Sequence, residues 1–454
     1  MYKAYITYVK NIRPAENSNF LNACEVFGNT TIIDKTITED MLVLYLPSDG
    51  QISMEFGEKN NLFRKKDDAG NNIGGFVDPV KRNITAIRLR GNRSDGLVLP
   101  ISCLNYCYAH GNASTELHAG DIINGTLNGH EICCKYIPVI KNKTSSKTKK
   151  CNKVRKYTAP VAPLFIEHAD TEQLNYNLDA FKAGDQIEIT LKMHGTSNRV
   201  AYVPVLKKFK RTLFDHMLGR EGKPIYEYDY ISGTRRTVLD SFDGGFYGSN
   251  AFRKQFEDRL RGKLLKNEEI YFEIVSYTND GKPIMPSGPV PKDYQNIYGK
   301  DMIFSYGCEV GHSEMYVYRM TMTNEDGDVV EYSPDFMRYR CEQIGVKTVP
   351  VFYKGYIPEE CTEINTRLDN HIVKIANYTT PGEWVKDLAE QFYDGPDPIG
   401  KTHVREGVVV RIINRPKFCA YKHKNFLFKM VTGIIVENVA DSNLEINQDI
   451  LEEL

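Results

Sequence analysis

Residues 185–203 read DQIEITLKMHGTSNRVAYV. Ile187, Ile189 and Leu191 alternate with Glu188, Thr190 and Lys192. That period-two pattern predicts a half-buried strand with Lys192 on its polar face. HGTS then reads as a turn and NRVAYV as the returning strand. Lys192 therefore falls at a strand end beside a glycine-containing turn, where a ligand can approach the backbone closely. Lys-x-His-Gly alone is a weak motif that many chains of this length hold by chance. Its weight comes from the ordered motifs downstream of it.

Residues 228–236 (YDYISGTRR) predict a polar strand end with Arg235 and Arg236. An amphipathic helix is expected over 251–266, with Phe252, Phe256, Leu260 and Leu264 at i, i+4 spacing and Asn250 as N-cap. EIYFEIVSY places Glu273 inside a short apolar strand, where an acid is costly unless it has a partner. Residues 314–322 (EMYVYRMTM) form an alternating aromatic strand, and 405–413 (REGVVVRII) a buried strand led by Glu406. AYKHKNFLFKM puts Lys422 and Lys424 on one strand face and His423 on the other.

Upstream, 41–46 (MLVLYL), 84–90 (ITAIRLR) and 96–102 (GLVLPIS) are short β-rich runs broken by turn residues, the pattern of a small barrel. Arg88 and Arg90 share one strand face, with Arg93 close behind. They fit either a polar outer face or a cationic surface for a nucleic-acid backbone, the use OB-folds make of such strands. Residues 141–156 hold eight Lys or Arg and almost nothing apolar, so 141–158 reads as a solvated linker that can also touch phosphates.

The chain has 454 residues with 41% hydrophobic and 26% charged, enough for two or three domains with sizeable cores. Net charge is −1, so any nucleic-acid surface must come from local clustering of Lys and Arg. The N-terminus MYKAYITYVKNIRP has no apolar signal-peptide region. No stretch approaches the roughly 18 apolar residues of a membrane span. A soluble, intracellular (cytoplasmic) protein with no membrane association is therefore expected. The ten cysteines form no CxxC pair and read as free thiols. Cys103, Cys107 and His110 lack a fourth ligand nearby and read as ordinary residues.

The ordered motifs resemble those of the covalent nucleotidyltransferase superfamily of ATP-dependent ligases and capping enzymes. Within it the chain is most similar to ATP-dependent RNA ligases, especially the Deinococcus-type branch with an N-terminal OB domain. The nucleophile motif appears as Lys192-Met193-His194-Gly195, and the serine–arginine motif as Ser232 to Arg235, with Arg235 and Arg236 both open as the phosphate contact. Glu273 stands for the first acidic motif, Tyr318 for the adenine-stacking position, Glu406 for the metal-binding acid, and Lys422 and Lys424 for the lysine pair. FIEHADTEQL is implied to line the adenine pocket. Three positions depart from the family pattern: Leu191 where a Glu often precedes the nucleophile, Phe272 where Gly often precedes the acid, and Arg319 where an Asp often follows the stacking aromatic.

The resemblance implies an α+β fold: an N-terminal OB-like β-barrel (1–140), the basic linker (141–158), and a nucleotidyltransferase domain of antiparallel sheets flanked by helices (159–454). It implies ATP and Mg2+ (or Mn2+) as cofactors, with Glu273 and Glu406 on the metal. Lys192, His194, Gly195, Arg235, Tyr318, Lys422 and Lys424 would hold the nucleotide, and Arg88, Arg90 and Arg93 the nucleic acid. The partners are RNA ends, joined 3′-OH to 5′-phosphate by a monomer.

The residue types suit that chemistry. A lysine nucleophile must lose a proton whose ordinary pKa is about 10.4. Nearby cations disfavour the ammonium and neutralise the phosphates. Each residue also has a plain structural reading: Glu273 as a salt-bridged acid, Tyr318 as core packing, the two lysines as a solvated strand face. RNA is expected over DNA because 430–454 is too short for the further OB domain that usually follows in DNA ligases and capping enzymes. The rivals are a DNA ligase, a capping-type nucleotidyltransferase that uses GTP, and a catalytically silent RNA-binding relative.

Overall fold

The computed structural model describes residues 2–136 and 160–436, apart from 19, 49, 67–71, 90–91, 219–221, 240, 245–246, 248, 362–363, 369–370, 376–377, 379 and 433–434. The expected linker at 141–158 lies outside the described residues. Two compact units emerge: Met1–Pro138 with Lys429–Ile446, and Val139–Phe428 with Asn447–Leu454.

In the first unit β1 (Ala4–Thr7), β2 (Val43–Leu46), β3 (Leu97–Pro100) and β4 (Ile122–Ile123) form a four-stranded sheet in the order β3-β2-β1-β4. Ile6, Leu44 and Leu46 of this sheet are buried in one core with Ile52, Phe56 and Leu104. The remaining strands pair in smaller sheets, and among the described residues no sheet closes into a barrel. The run at 96–102 stops as a strand at Pro100, because Ile101–Cys107 turns into a 3-10 helix. The described cysteines are free thiols.

The second unit is built on two mostly antiparallel sheets. The five-stranded sheet runs from Glu172–Gln173 through β12 (Cys419–Lys424), β11 (Gly407–Ile412) and β5 (Gln186–Leu191) to β10 (Val351–Tyr356). The larger sheet orders β7 (Lys223–Gly233), β6 (Thr196–Lys210), β8 (Glu268–Ser276) and β9 (Ser313–Thr323), then Val329–Glu331. Only the two-residue strands Glu172–Gln173 and Lys347–Thr348 pair in parallel in these sheets.

Alternation decides which face is buried. Ile187 and Ile189 of β5, with Val408, Val410 and Ile412 of β11, pack on Trp384, Val385 and Leu388 of helix α3 (Pro381–Tyr393). Each such side chain contributes about 1.5–3 kcal/mol on burial. Helix α3 starts where Thr380 accepts the Glu383 N–H, with Pro381 in the first turn. The opposite face of the same strands carries Glu188, Thr190, Val409 and Arg411, and these line a cavity.

Helix α1 spans Ala251–Leu260, shorter than the expected 251–266. Gly262, with φ of 77°, lies just past its end, and Leu264 is buried from the following loop. Asn250 precedes the helix but caps nothing with its side chain, which accepts from Arg253 Nε instead. Arg253 is fully buried and donates to Ser197 O, Asn198 Oδ1 and Thr196 Oγ1, so α1 anchors the start of β6. Among the described residues no helix is long and apolar enough to cross a membrane.

Candidate active site

The turn Lys192–Gly195 joins one sheet to the other, and three of its four residues are fixed by a neighbour. The Lys192 N–H donates to Gly407 O at 3.0 Å. The His194 N–H donates to the Tyr306 hydroxyl at 2.7 Å. A Cβ on Gly195 would stand 2.2 Å from Ile274 O, so the close approach of this turn to β8 requires glycine.

Beyond the turn the charges converge. Lys192 Nζ lies 2.6 Å from Glu406 Oε1, and Lys424 Nζ lies 3.3 Å from the same oxygen. His194 Nδ1 is 3.6 Å from Glu406 Oε2, and its ring is held edge-on between Phe304 and Phe428. Glu406 is 2% exposed. Burial alone would raise its carboxyl pKa, but Lys192, then Lys424 and His194, hold it well below the usual carboxylate range. Glu406 Oε2 has no hydrogen-bond partner among the described residues. An orphaned, buried carboxylate oxygen is a fitting ligand for a hard divalent ion. Among the described residues no three His, Cys, Asp or Glu side chains group around a metal position. Such an ion would therefore draw most of its oxygens from phosphate and water, as magnesium commonly does.

A cavity with about 970 Å³ of empty space, including its open mouth, adjoins this cluster between the sheets. Its apolar and aromatic lining residues include Tyr318, Phe418, Met337, Val349 and Val409. Tyr318 hydrogen-bonds through its hydroxyl to Ser197 Oγ at 3.0 Å, and its ring centroid lies 5.1 Å from that of His168. Burial, then Arg319 and further arginines, pushes the His168 pKa well below its ordinary value. The neutral ring therefore has a lone pair at Nδ1 for Arg319 Nη1 at 3.3 Å. The cavity's charged lining residues include Lys192, Arg235, Glu273, Glu188, Arg338 and Arg411.

Most of the expected residues come together. Lys192, Glu273, Tyr318 and Arg235 line the cavity, while Glu406, Lys424 and His194 stand directly behind Lys192. Lys422 is not part of the lining, but it lies on the same strand face as the lining residue Ala420. Arg235 lines the cavity and Arg236 does not, although both bind Asp170, at 2.7 and 3.0 Å. Ser232 is buried against Glu257 at 2.7 Å, away from the lining. His168 and Thr171, from the FIEHADTEQL stretch, line the cavity.

The three departures have structural partners here. Leu191 is buried at the end of β5, and Phe272 packs on Phe256. Arg319 pairs with Glu331 and lies over the rings of Tyr271 and Phe418. In the first unit Arg93 sits 3.5 Å from the buried Asp95 rather than standing alone on a cationic face. Arg88 faces Arg93 in backbone register, and Arg90 lies outside the described residues. Glu188 stands on the polar strand face expected for Lys192, whereas sequence reasoning missed Tyr306, Arg338, Arg411 and Phe418. Of these, only Arg411 left a signal, as the charge breaking the apolar run VVVRII.

A family model described as RNA ligase matches residues 185–431, which include every one of these cavity residues except His168 and Thr171. A search of curated protein sequences finds no match. Among solved structures, the chain is similar to Naegleria gruberi RNA ligase. A lysine-to-methionine mutant of that protein with AMP and Mn aligns at 16% identity and a TM-score of 0.53, covering 94% of this chain and 98% of the other. A lysine-to-alanine mutant with ATP and Mn gives the same figures. A second lysine-to-alanine mutant with ATP and Mn gives 17% and 0.52 over the same shares. At these identities the likeness speaks for the fold.

Proposed function

The chain belongs to the RNA ligase family, and from that premise we propose that it is an ATP-dependent RNA ligase working through a lysyl-AMP on Lys192. The observation that carries the reading is the Lys192–Glu406–Lys424 cluster adjoining a cavity lined by both aromatic and cationic side chains.

In the proposed reaction Lys192 Nζ attacks the α-phosphorus of ATP. A P–N bond forms, the bond to the β-phosphate oxygen breaks, and pyrophosphate leaves with the negative charge. The buried carboxylate of Glu406 holds Nζ in place, and the proton that Nζ must lose passes to solvent. Lys424, Lys422 and Arg235 face the phosphates, and Tyr318 stacks on adenine, with His194 and Gly195 shaping the turn. Glu273 and Glu406 would hold Mg2+ or Mn2+, which would supply further charge neutralisation on the phosphates. The AMP then passes to an RNA 5′-phosphate, and the 3′-OH displaces it to join the ends, whether in repair or nick sealing.

We read residues 1–140 as an OB-like nucleic-acid-binding domain, with Arg88, Arg90 and Arg93 on its RNA face. Residues 141–158 act as a basic linker and 159–454 as the catalytic domain of a monomer. The test is covalent labelling. The protein is mixed with Mg2+ and α-labelled ATP or GTP, denatured, and examined beside Lys192→Ala. Label from ATP that vanishes in the variant supports the reading, and sealing of nicked RNA over nicked DNA completes it. Label from GTP moves the reading to capping chemistry. No label, after bound AMP is stripped with pyrophosphate, leaves a silent RNA-binding relative.

A further inference from the structure

The outer half of the β6–β7 hairpin takes no part in the chemistry above. Between its strands Leu213, Phe214, Met217 and Leu218 are 84, 74, 82 and 61% exposed. Four large apolar side chains within six residues form the kind of patch that soluble surfaces keep for a partner. The short helix Leu213–Met217, which carries the first three of them, is held in shape by a reciprocal cap. The Thr212 N–H donates to Asp215 Oδ2 at 2.8 Å, and the Asp215 N–H donates to Thr212 Oγ1 at 3.2 Å.

The charge around this patch is one-sided. Residues 207–223 hold six Lys or Arg and two acids, a net +4 in a chain of net −1. Asp215 is engaged in the cap. Lys208, Lys210 and Lys223 are exposed and form no ion pair among the described residues. Further along, Tyr202 stands opposite Tyr230, with their rings stacked at 4.9 Å. Lys266 lies over Tyr228 at 4.8 Å and Arg261 over Tyr230 at 5.3 Å. Aromatic faces interleaved with cations suit a polynucleotide.

The hairpin also leads to the site. β6 begins at Thr196, next to Gly195, and β7 ends two residues before Arg235. Fifteen residues of strand reach roughly 45 Å. That is longer than one turn of a DNA duplex, about 34–36 Å.

We propose that this hairpin is the docking arm for the RNA flanking the join. Its lysines neutralise phosphates along one flank, and the Leu213–Leu218 patch packs as an apolar wedge against the bases. The proposal rests on the ligase reading above. An anionic membrane would also draw a basic, apolar tip, but it would leave the tyrosine face and the continuity with the active site without a role.

Three forms of the full chain test it: wild type, Lys208→Glu/Lys210→Glu/Lys223→Glu, and Leu213→Ser/Phe214→Ser/Met217→Ser. Lysyl-AMP formation from labelled ATP is measured without RNA. Binding of a fluorescent nicked RNA duplex is then followed by anisotropy across a salt series. The label is expected to be unchanged in both variants, and RNA affinity to fall at least about tenfold in each. The salt slope of the lysine variant should become shallower by about 2–3, one step per lost phosphate contact. RNA affinity within about twofold of wild type in both variants overturns the proposal, as does a wild type that binds no duplex. Variants that keep RNA but lose binding to phosphatidylserine vesicles overturn it too, and assign the arm to a membrane. A wild type that takes no label from ATP sinks the ligase reading instead, while the RNA arms of the experiment still decide the hairpin.

Discussion

The Tyr306 hydroxyl is buried and accepts the N–H of His194, two residues after Lys192. Replacing it by Tyr306→Phe leaves that buried N–H unpaired, at a cost of about 1–3 kcal/mol. The cost falls on the turn that aims the nucleophile, so labelling of Lys192 should slow by about tenfold or more while KM for ATP shifts less. Single-turnover labelling with ATP measures this, and an unchanged rate would remove Tyr306 from the site. Gly195→Ala is harsher, because the new Cβ meets Ile274 O in β8. It should abolish labelling or unfold the sheet junction, and circular dichroism separates the two. Lys192 and Lys424 were legible because each sits in or beside an alternating strand, and Glu406 because it leads a continuous apolar run. Tyr306 was not, since it lies in a loop at φ of 47°, with no period to mark it and 112 residues between it and its partner. Arg93 was legible only in part. Its strand pattern left both an outer face and a cationic surface open, and its partner two residues away, the buried Asp95, was not marked by any period.

At the scale of elements, helix α2 (Pro334–Ile344) shows how a scaffold supports the cavity. Ser333 caps its start by accepting the Phe336 N–H, and Gly345 ends it in the left-handed region. Met337 and Arg338 on α2 line the cavity, and Arg340 anchors the helix to β8. Arg340 Nε and Nη2 meet the two carboxylate oxygens of Glu268 at 2.8 and 3.0 Å, and Nη2 also donates to Lys263 O at 2.6 Å. Glu268 is fully buried. Arg340→Ala leaves a buried carboxylate without its cation, a loss of about 3–5 kcal/mol. Urea unfolding should show it. A loss below about 1 kcal/mol would mean that Tyr332 and the Leu265 N–H, which also bind Glu268, suffice. None of this anchoring was readable from periodicity, because the pair joins residues 72 apart through side chains alone. The same limit explains helix α1. The i, i+4 pattern carried on to Leu264, yet the helix stops at Leu260, because a loop can bury a leucine as well as a helix can.

At the scale of the whole molecule, the chain divides into units that sequence order does not respect, since Lys429–Ile446 belong with Met1–Pro138. Within that first unit Asp95 gathers three partners: Lys429 Nζ at 2.7 Å, Arg93 Nη2 at 3.5 Å and Ser48 Oγ at 2.6 Å. Burial would raise the Asp95 pKa, but Lys429 and Arg93 outweigh it and hold the carboxyl at about 2, against an ordinary 3.8. A group whose pKa is lowered by folding stabilises the fold above its unfolded value, and that stabilisation disappears as pH falls through the folded one. The window is therefore roughly pH 4 to 2, and the amount is about 2 kcal/mol. Asp95→Asn should lower the stability of the first unit by a similar amount at neutral pH and flatten its response inside that window. Trp384, the single tryptophan, lies in the second unit and reports it by fluorescence, whereas far-UV circular dichroism reports both units. The first unit is then the part of the dichroism transition in urea that fluorescence does not follow. If that part moves with acid as steeply in Asp95→Asn as in wild type, some other carboxyl sets the acid limit of the first unit, and the Lys429–Asp95 pair is not what ties the end of the chain to its beginning.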